Sequence, residues 1–172
     1  MPLLVLALLA AGALAGCGGS KQAETSTPVT IDVSAGTTQS TQTTPGPHRF
    51  ARTHLRIVAP ANAAHAKLVE ESRSYGSNTT KAEVVADLAP VIAAYEAADK
   101  ALLRVHWPPS VEADVKALAA TDRVLLRDLR AANQQDAQSS GAWTARVARD
   151  GEKSHAAANA VRADLGLPAD DN

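Results

Sequence analysis

Aromatic side chains make up only 3% of this 172-residue chain, and cysteine occurs once. A single cysteine allows no disulfide within the chain, so stability must come from packing. With so few rings and so much alanine, that packing must rely on close approach of helices rather than on bulky core residues. Neither charge dominates, since 17 Lys and Arg stand against 18 Asp and Glu. A formal net charge of −1 with the signs interspersed argues against nucleic acid as a partner, because phosphate binding wants a basic stripe. A glycine-rich phosphate loop, a Cys-x-x-Cys pair and a Ser-His-Asp spacing are also missing from the sequence. No nucleophile or base can be named without them, so the chain is not expected to be an enzyme.

Long hydrophobic runs are scarce as well. The one from Pro2 to Leu14 is uncharged but shorter than the ~20 residues of a spanning helix. It has the length of the apolar core of a secretory signal. It ends in Leu14-Ala15-Gly16-Cys17, which resembles the lipobox of bacterial lipoproteins. That resemblance implies a signal peptide over residues 1–16 and a diacylglyceryl group, with fatty chains such as palmitate, on Cys17. At about 0.8 kcal/mol per buried methylene, two chains anchor far better than one. The mature protein would then sit on the extracytoplasmic face of the cell membrane, held to membrane lipid through acylated Cys17 without spanning the bilayer. The leading segment of a signal usually carries Lys or Arg, whereas the first charge here is Lys21. The expectation is therefore a reading frame that extends upstream.

Residues 17–50 are rich in Thr, Ser, Gln, Gly and Pro, and bury too little apolar surface to repay their ordering entropy. They read as a disordered tether with a root-mean-square span of roughly 30 Å. Val29 to Val33 alternates like a strand but has no partner run, and reads as extended linker.

From Ala51 to Pro168 the pattern turns helical. The first helix begins near Ala51 or Val58, becoming regular at Pro60, with Ile57, Ala61, Ala64, Leu68 and Tyr75 on one side. Thr80 with Glu83 reads as a capping box opening the second. Its stripe of Val84, Leu88, Val91, Tyr95, Ala98, Leu102 and Val105 alternates steps of four and three and keeps phase across Pro90, which predicts one kinked helix. Trp107-Pro108-Pro109 ends it. The third helix shows Val111, Val115, Leu118, Leu125 and Leu129. The fourth, capped from Ser139 to Gly141, shows Trp143, Val147, Ala157, Val161 and Leu165. Gly166, Leu167 and Pro168 form a stop signal, and residues 169–172 a frayed tail. Four amphipathic segments with short loops predict an all-α, up-down-up-down antiparallel four-helix bundle, with Trp107 plugging one end and Trp143 with Tyr75 the other. The Trp-Pro-Pro turn and the Ala-Asp-Leu-Gly-Leu-Pro ending resemble alanine-rich helical lipoproteins of high-GC Gram-positive bacteria, a likeness that brings no activity with it.

Candidate sites are sparse. Glu152 and His155 have the spacing of a di-iron ligand pair but lack a second pair, and both fall outside the apolar stripe, so no metal or other cofactor is expected. His48 and His54 lie near the tether, His65 at the edge of the first stripe and His106 at a helix end. Asp122 and Asp150 stand where the stripes call for apolar residues. They suggest an interhelical ion pair or wet layer that fixes register, against a ligand site. Counting from the turn at Pro108 brings Tyr95 level with Asp122 and predicts that the phenol meets the carboxylate directly or through a single shared water. Tyr95, Asp122 and Asp150 thus form the expected structural polar layer. The functional expectation is a membrane-anchored envelope lipoprotein whose helical module meets an envelope protein or the cell wall. The alternative is a bundle that binds a small ligand or metal in its polar layer.

Overall fold

The computed structural model describes residues 47–136 and 139–170, with side chains from Arg49 onward. Cys17, the apolar run before it, the strand-like Val29 to Val33 and the side chain of His48 lie outside the described residues. Four helices follow one another: α1 Pro47–Ser72, α2 Lys81–Leu102, α3 Pro109–Arg130 and α4 Ser140–Asp164, with a 3-10 turn, Ala131–Gln134, prolonging α3. The closest pairings are α1 with α2, α2 with α3 and α3 with α4, so the chain is an all-α antiparallel bundle. Among the described residues, no helix is long and apolar enough to cross a membrane.

α1 departs most from its sequence reading. It starts at Pro47 and runs through Pro60 without interruption. Proline suits a first helical turn because its missing N–H needs no partner there. Pro60 is exposed, so the carbonyl it leaves without a donor can turn to water. The buried face is also rotated from the expected one. Ala51, His54, Val58, Ala61, His65, Leu68 and Ser72 recur in strict steps of three and four, while Ile57 and Ala64 are only half-buried. Three of those seven positions are polar, which hides the stripe from a search for apolar periodicity.

The other helices follow their stripes. Thr80 accepts the Glu83 N–H at 3.2 Å while Glu83 accepts the Thr80 N–H at 2.6 Å, closing the capping box of α2. Pro90 faces solvent within one continuous helix. Trp107 is buried beside Phe50, their ring centroids 5.8 Å apart, and its Nε1 donates to the Leu102 carbonyl at 2.7 Å. At the other end the Nε1 of Trp143 donates to the Asp128 carbonyl at 2.6 Å, and Tyr75 donates to Asp87 at 2.7 Å. Each ring fills a gap and spends its polar atom on a helix end or a neighbouring acid.

Two terminal details differ from expectation. Ser139 makes no side-chain cap on α4; its hydroxyl is engaged with Asp136, whose N–H it accepts at 2.9 Å. Asp170, expected in a frayed tail, is clamped by Asn159, which accepts its N–H at 2.9 Å and donates to its carbonyl at 3.3 Å. The reversal that brings it there begins at Gly166, whose φ of 67° is the left-handed cap foreseen.

Candidate functional site

The polar groups of the interior gather where α2, α3 and α4 meet. On α3, Asp122 is 1% exposed, at a stripe position between Leu118 and Leu125. A buried carboxylate requires donors. It receives one from the hydroxyl of Ser154 on α4, itself 2% exposed, and shares a second hydrogen bond with Asp99 on α2. Two carboxylates can share a hydrogen bond only through a proton, because ionised acids are acceptors alone.

The electrostatics follow from that geometry. Burial is the main force raising the Asp99 carboxyl, to about 8; the Asp122 charge and the shared hydrogen bond add to it, and Arg123 opposes. Asp122 is also raised by burial, against the pull of its bonds from Ser154 and Asp99. Burial thus pushes both carboxyls up, which favours a proton held between them at the shared bond. Tyr95, one turn before Asp99 on α2, is buried; desolvation first, then the charges of Asp122, Asp99 and Asp170, push its phenol above its ordinary value. The phenol therefore belongs to the same electrostatic cluster as Asp122.

Asp150 is buried elsewhere. It lies one turn before Ser154 on α4 and meets Asp128, not Asp122. A hydrogen bond from Lys153 at 2.8 Å, with Arg149 3.7 Å away, holds its carboxyl below the usual range. Six residues separate Asp122 from Asp128, about 9 Å of helix rise, so the expected single layer is two clusters.

No protein-family model, curated protein or solved structure matches this chain.

A third polar group lines α1. His54, near the tether in sequence, is 1% exposed on the core face of α1, and burial followed by the Arg162 charge lowers its imidazole to about 4. His65 is buried too; desolvation lowers it, partly offset by Asp170. Glu152 is exposed as expected, but His155 is half-buried, its Nε2 3.1 Å from Asn159 Nδ2. His54 Nδ1, His155 Nδ1 and both polar side-chain atoms of Asn62 are sealed from solvent without a geometrically aligned partner; Oδ2 of Asp122 is sealed too, and the proton shared with Asp99 is the donor left to it. Among the described residues, no group of three or more His, Cys, Asp or Glu is placed to hold a metal ion. What the interior offers is proton-sharing acids and neutral imidazoles, which bind protons and fix register.

Ser154, Asp99, Asp128 and Arg162 are interior polar residues that the sequence reading did not single out. Ser154 had a signal, since steps of four, three and four from Trp143 lead through Val147 and Asp150 to it.

Proposed function

We propose that this chain is a lipoprotein of the cell envelope, anchored through acylated Cys17, whose bundle is a non-catalytic interaction module for an envelope protein or the wall. The observation that carries the reading is Leu14-Ala15-Gly16-Cys17 at the end of an uncharged run, with the sole cysteine of the chain at the modification position. The bundle is consistent with it, since Asp99, Asp122 and Ser154 are spent on one another and Asp150 on Lys153 and Asp128, as in a structural scaffold. Surface recognition is then left to the outward helix faces.

The test is metabolic labelling with an alkyne fatty acid in a bacterial host, followed by fractionation. The parent chain should carry label and remain with membranes after a high-salt wash. Cys17→Ser should lose the label and enter the soluble fraction with its helical spectrum intact. Label on neither chain would overturn the anchor. Crosslinking of the lipidated chain on intact cells tests the interaction half; the absence of any reproducible crosslinked species would count against it.

A further inference from the structure

Although the molecule carries almost no net charge, one end of the bundle gathers exposed cations without ion-pair partners. Arg49, Arg52 and Arg56 are exposed on α1, and their spacing puts them on one side of the helix, opposite Ala51, His54 and Val58. The contact between Phe50 and Trp107 brings the start of α1 against the turn after α2. Exposed Lys100 and Arg104 stand at that turn. None of these five is in an ion pair among the described residues; Lys67, Arg73, Lys116, Arg127, Arg130, Arg149 and Lys153 are paired, and the exposed cations outside ion pairs elsewhere, Lys81, Arg123 and Arg146, are spread over three helices. The nearby acids are few: Glu112 is held by Lys116 at 2.6 Å, Asp99 is committed to Asp122, and Asp114 and Asp164 remain. Beside Arg104 stands Leu103, 48% exposed, the most exposed large hydrophobic residue of the described domain. An apolar tip among unpaired cations suits the boundary of an anionic bilayer, where each basic residue gains from the surface potential and the apolar group enters the headgroup layer.

We infer that this end of the bundle, the one at which α1 begins, is a docking surface for the phosphodiester headgroups of an anionic membrane. The inference rests on the anchored reading for its orientation: residues 17–46 would run from the lipid directly into this end, so that the tether delivers the cations to the bilayer. Docking would then fix which helix faces look outward. The distance explored by the module would shrink from the reach of the tether to contact with the surface.

The test uses the full chain with Cys17→Ser, so that acylation cannot mask the contribution of the surface. It measures co-sedimentation with vesicles of phosphatidylglycerol and phosphatidylcholine mixed one to three, against phosphatidylcholine alone. Any binding by the apolar N-terminal run would be alike for both kinds, so the readout is their ratio. Binding to the anionic vesicles should be at least tenfold tighter, should fall away in ~0.5 M salt as exposed charges are screened, and should drop severalfold in the triple variant Arg49→Gln, Arg52→Gln, Arg56→Gln. A triple variant at the far end, Arg73→Gln, Lys81→Gln, Arg146→Gln, should keep its binding. Equal binding to both vesicle types, or equal loss in the two triple variants, would overturn the inference. Displacement by inorganic phosphate beyond the effect of matched ionic strength would point to a single phosphate site and overturn it as well. If labelling shows that Cys17 is not acylated while the vesicle ratio holds, the anchor fails and the docking surface stands.

Discussion

Asp99 on α2 and Asp122 on α3 share a hydrogen bond inside the bundle, so two acids that would repel when ionised are joined by a proton. Ser154 donates to the same carboxylate from α4 and completes a link across three helices. The link makes part of the domain's stability depend on pH.

The sign of that dependence follows from the raised Asp99 carboxyl. A group whose folded value lies above its unfolded one contributes stability that is complete below the unfolded value and is lost as pH rises through the folded one. Here the window runs from the ordinary 3.8 to about 8. With Asp99 partly solvated and its field screened, the loss between pH 5 and pH 8 should be about 1 to 3 kcal/mol. Asp99→Asn keeps a donor for Asp122 without needing a proton. Above pH 6.5, where His54 is neutral in both states, it should hold its stability up to pH 8 while the parent declines, and denaturant melts of both proteins measure the difference. A parallel decline in the two would mean that the pair is ionised and solvated.

His54 shapes the acid side. Its folded value is depressed to about 4 from 6.5, so its contribution is present above pH 6.5 and lost as pH falls through 4. Opposed to the acid pair, it places the stability maximum at roughly pH 6 to 7. NMR of the imidazole should show it neutral at pH 5.5, and His54→Leu should flatten the decline below pH 6. A ring already protonated at pH 5.5 would show that water reaches it.

The fold was legible because α2 and α3 keep their apolar stripes, and because the capping box at Thr80 and the left-handed Gly166 mark ends chemically. The site was legible at Asp122 and Asp150, acids at stripe positions, and at Tyr95, whose buried phenol feels the Asp122 charge. Its partners were hidden for two reasons. Asp99 is flanked by Ala98 and Lys100 at the edge of its stripe and reads as surface. The turn count centred on Pro108, whereas the pairing of Asp99 with Asp122 pivots between Ser110 and Val111. α3 thus begins well beyond the end of α2, with buried Trp107 packed into the space. That shift of about one helical turn brings Asp99 level with Asp122. The face of α1 was lost for a different reason, since His54, His65 and Ser72 occupy core positions that a hydrophobicity count scores as polar.

Ser154→Ala tests the link across α3 and α4. Removing one hydroxyl from a surface serine such as Ser110 should change stability by less than about 0.5 kcal/mol. At Ser154 it leaves Oδ1 of Asp122 without its donor in a closed interior, which should cost about 1 to 3 kcal/mol. A double-mutant cycle with Asp122→Asn isolates the pairwise part. A coupling indistinguishable from zero would show that Asp122 finds its donors elsewhere.

Two glycines separate backbone strain from helix propensity. Gly166 sits at φ 67° with nothing within 4 Å of where a Cβ would stand, so Gly166→Ala meets no clash and its cost is purely conformational. A left-handed non-glycine residue costs roughly 1 to 2 kcal/mol. The loss should also loosen the reversal that carries the Leu167 N–H to the Arg162 carbonyl at 2.8 Å and sets Asp170 against Asn159. Gly141, in the first turn of α4, likewise has open space within 4 Å of a Cβ added there, and its φ is ordinary. Gly141→Ala should therefore stabilise the domain, by up to about 1 kcal/mol, because alanine has less freedom to lose on entering a helix. Thermal melts of the two variants should move in opposite directions from the parent. If both destabilise, the start of α4 is held by contacts that the glycine permits rather than by helix propensity.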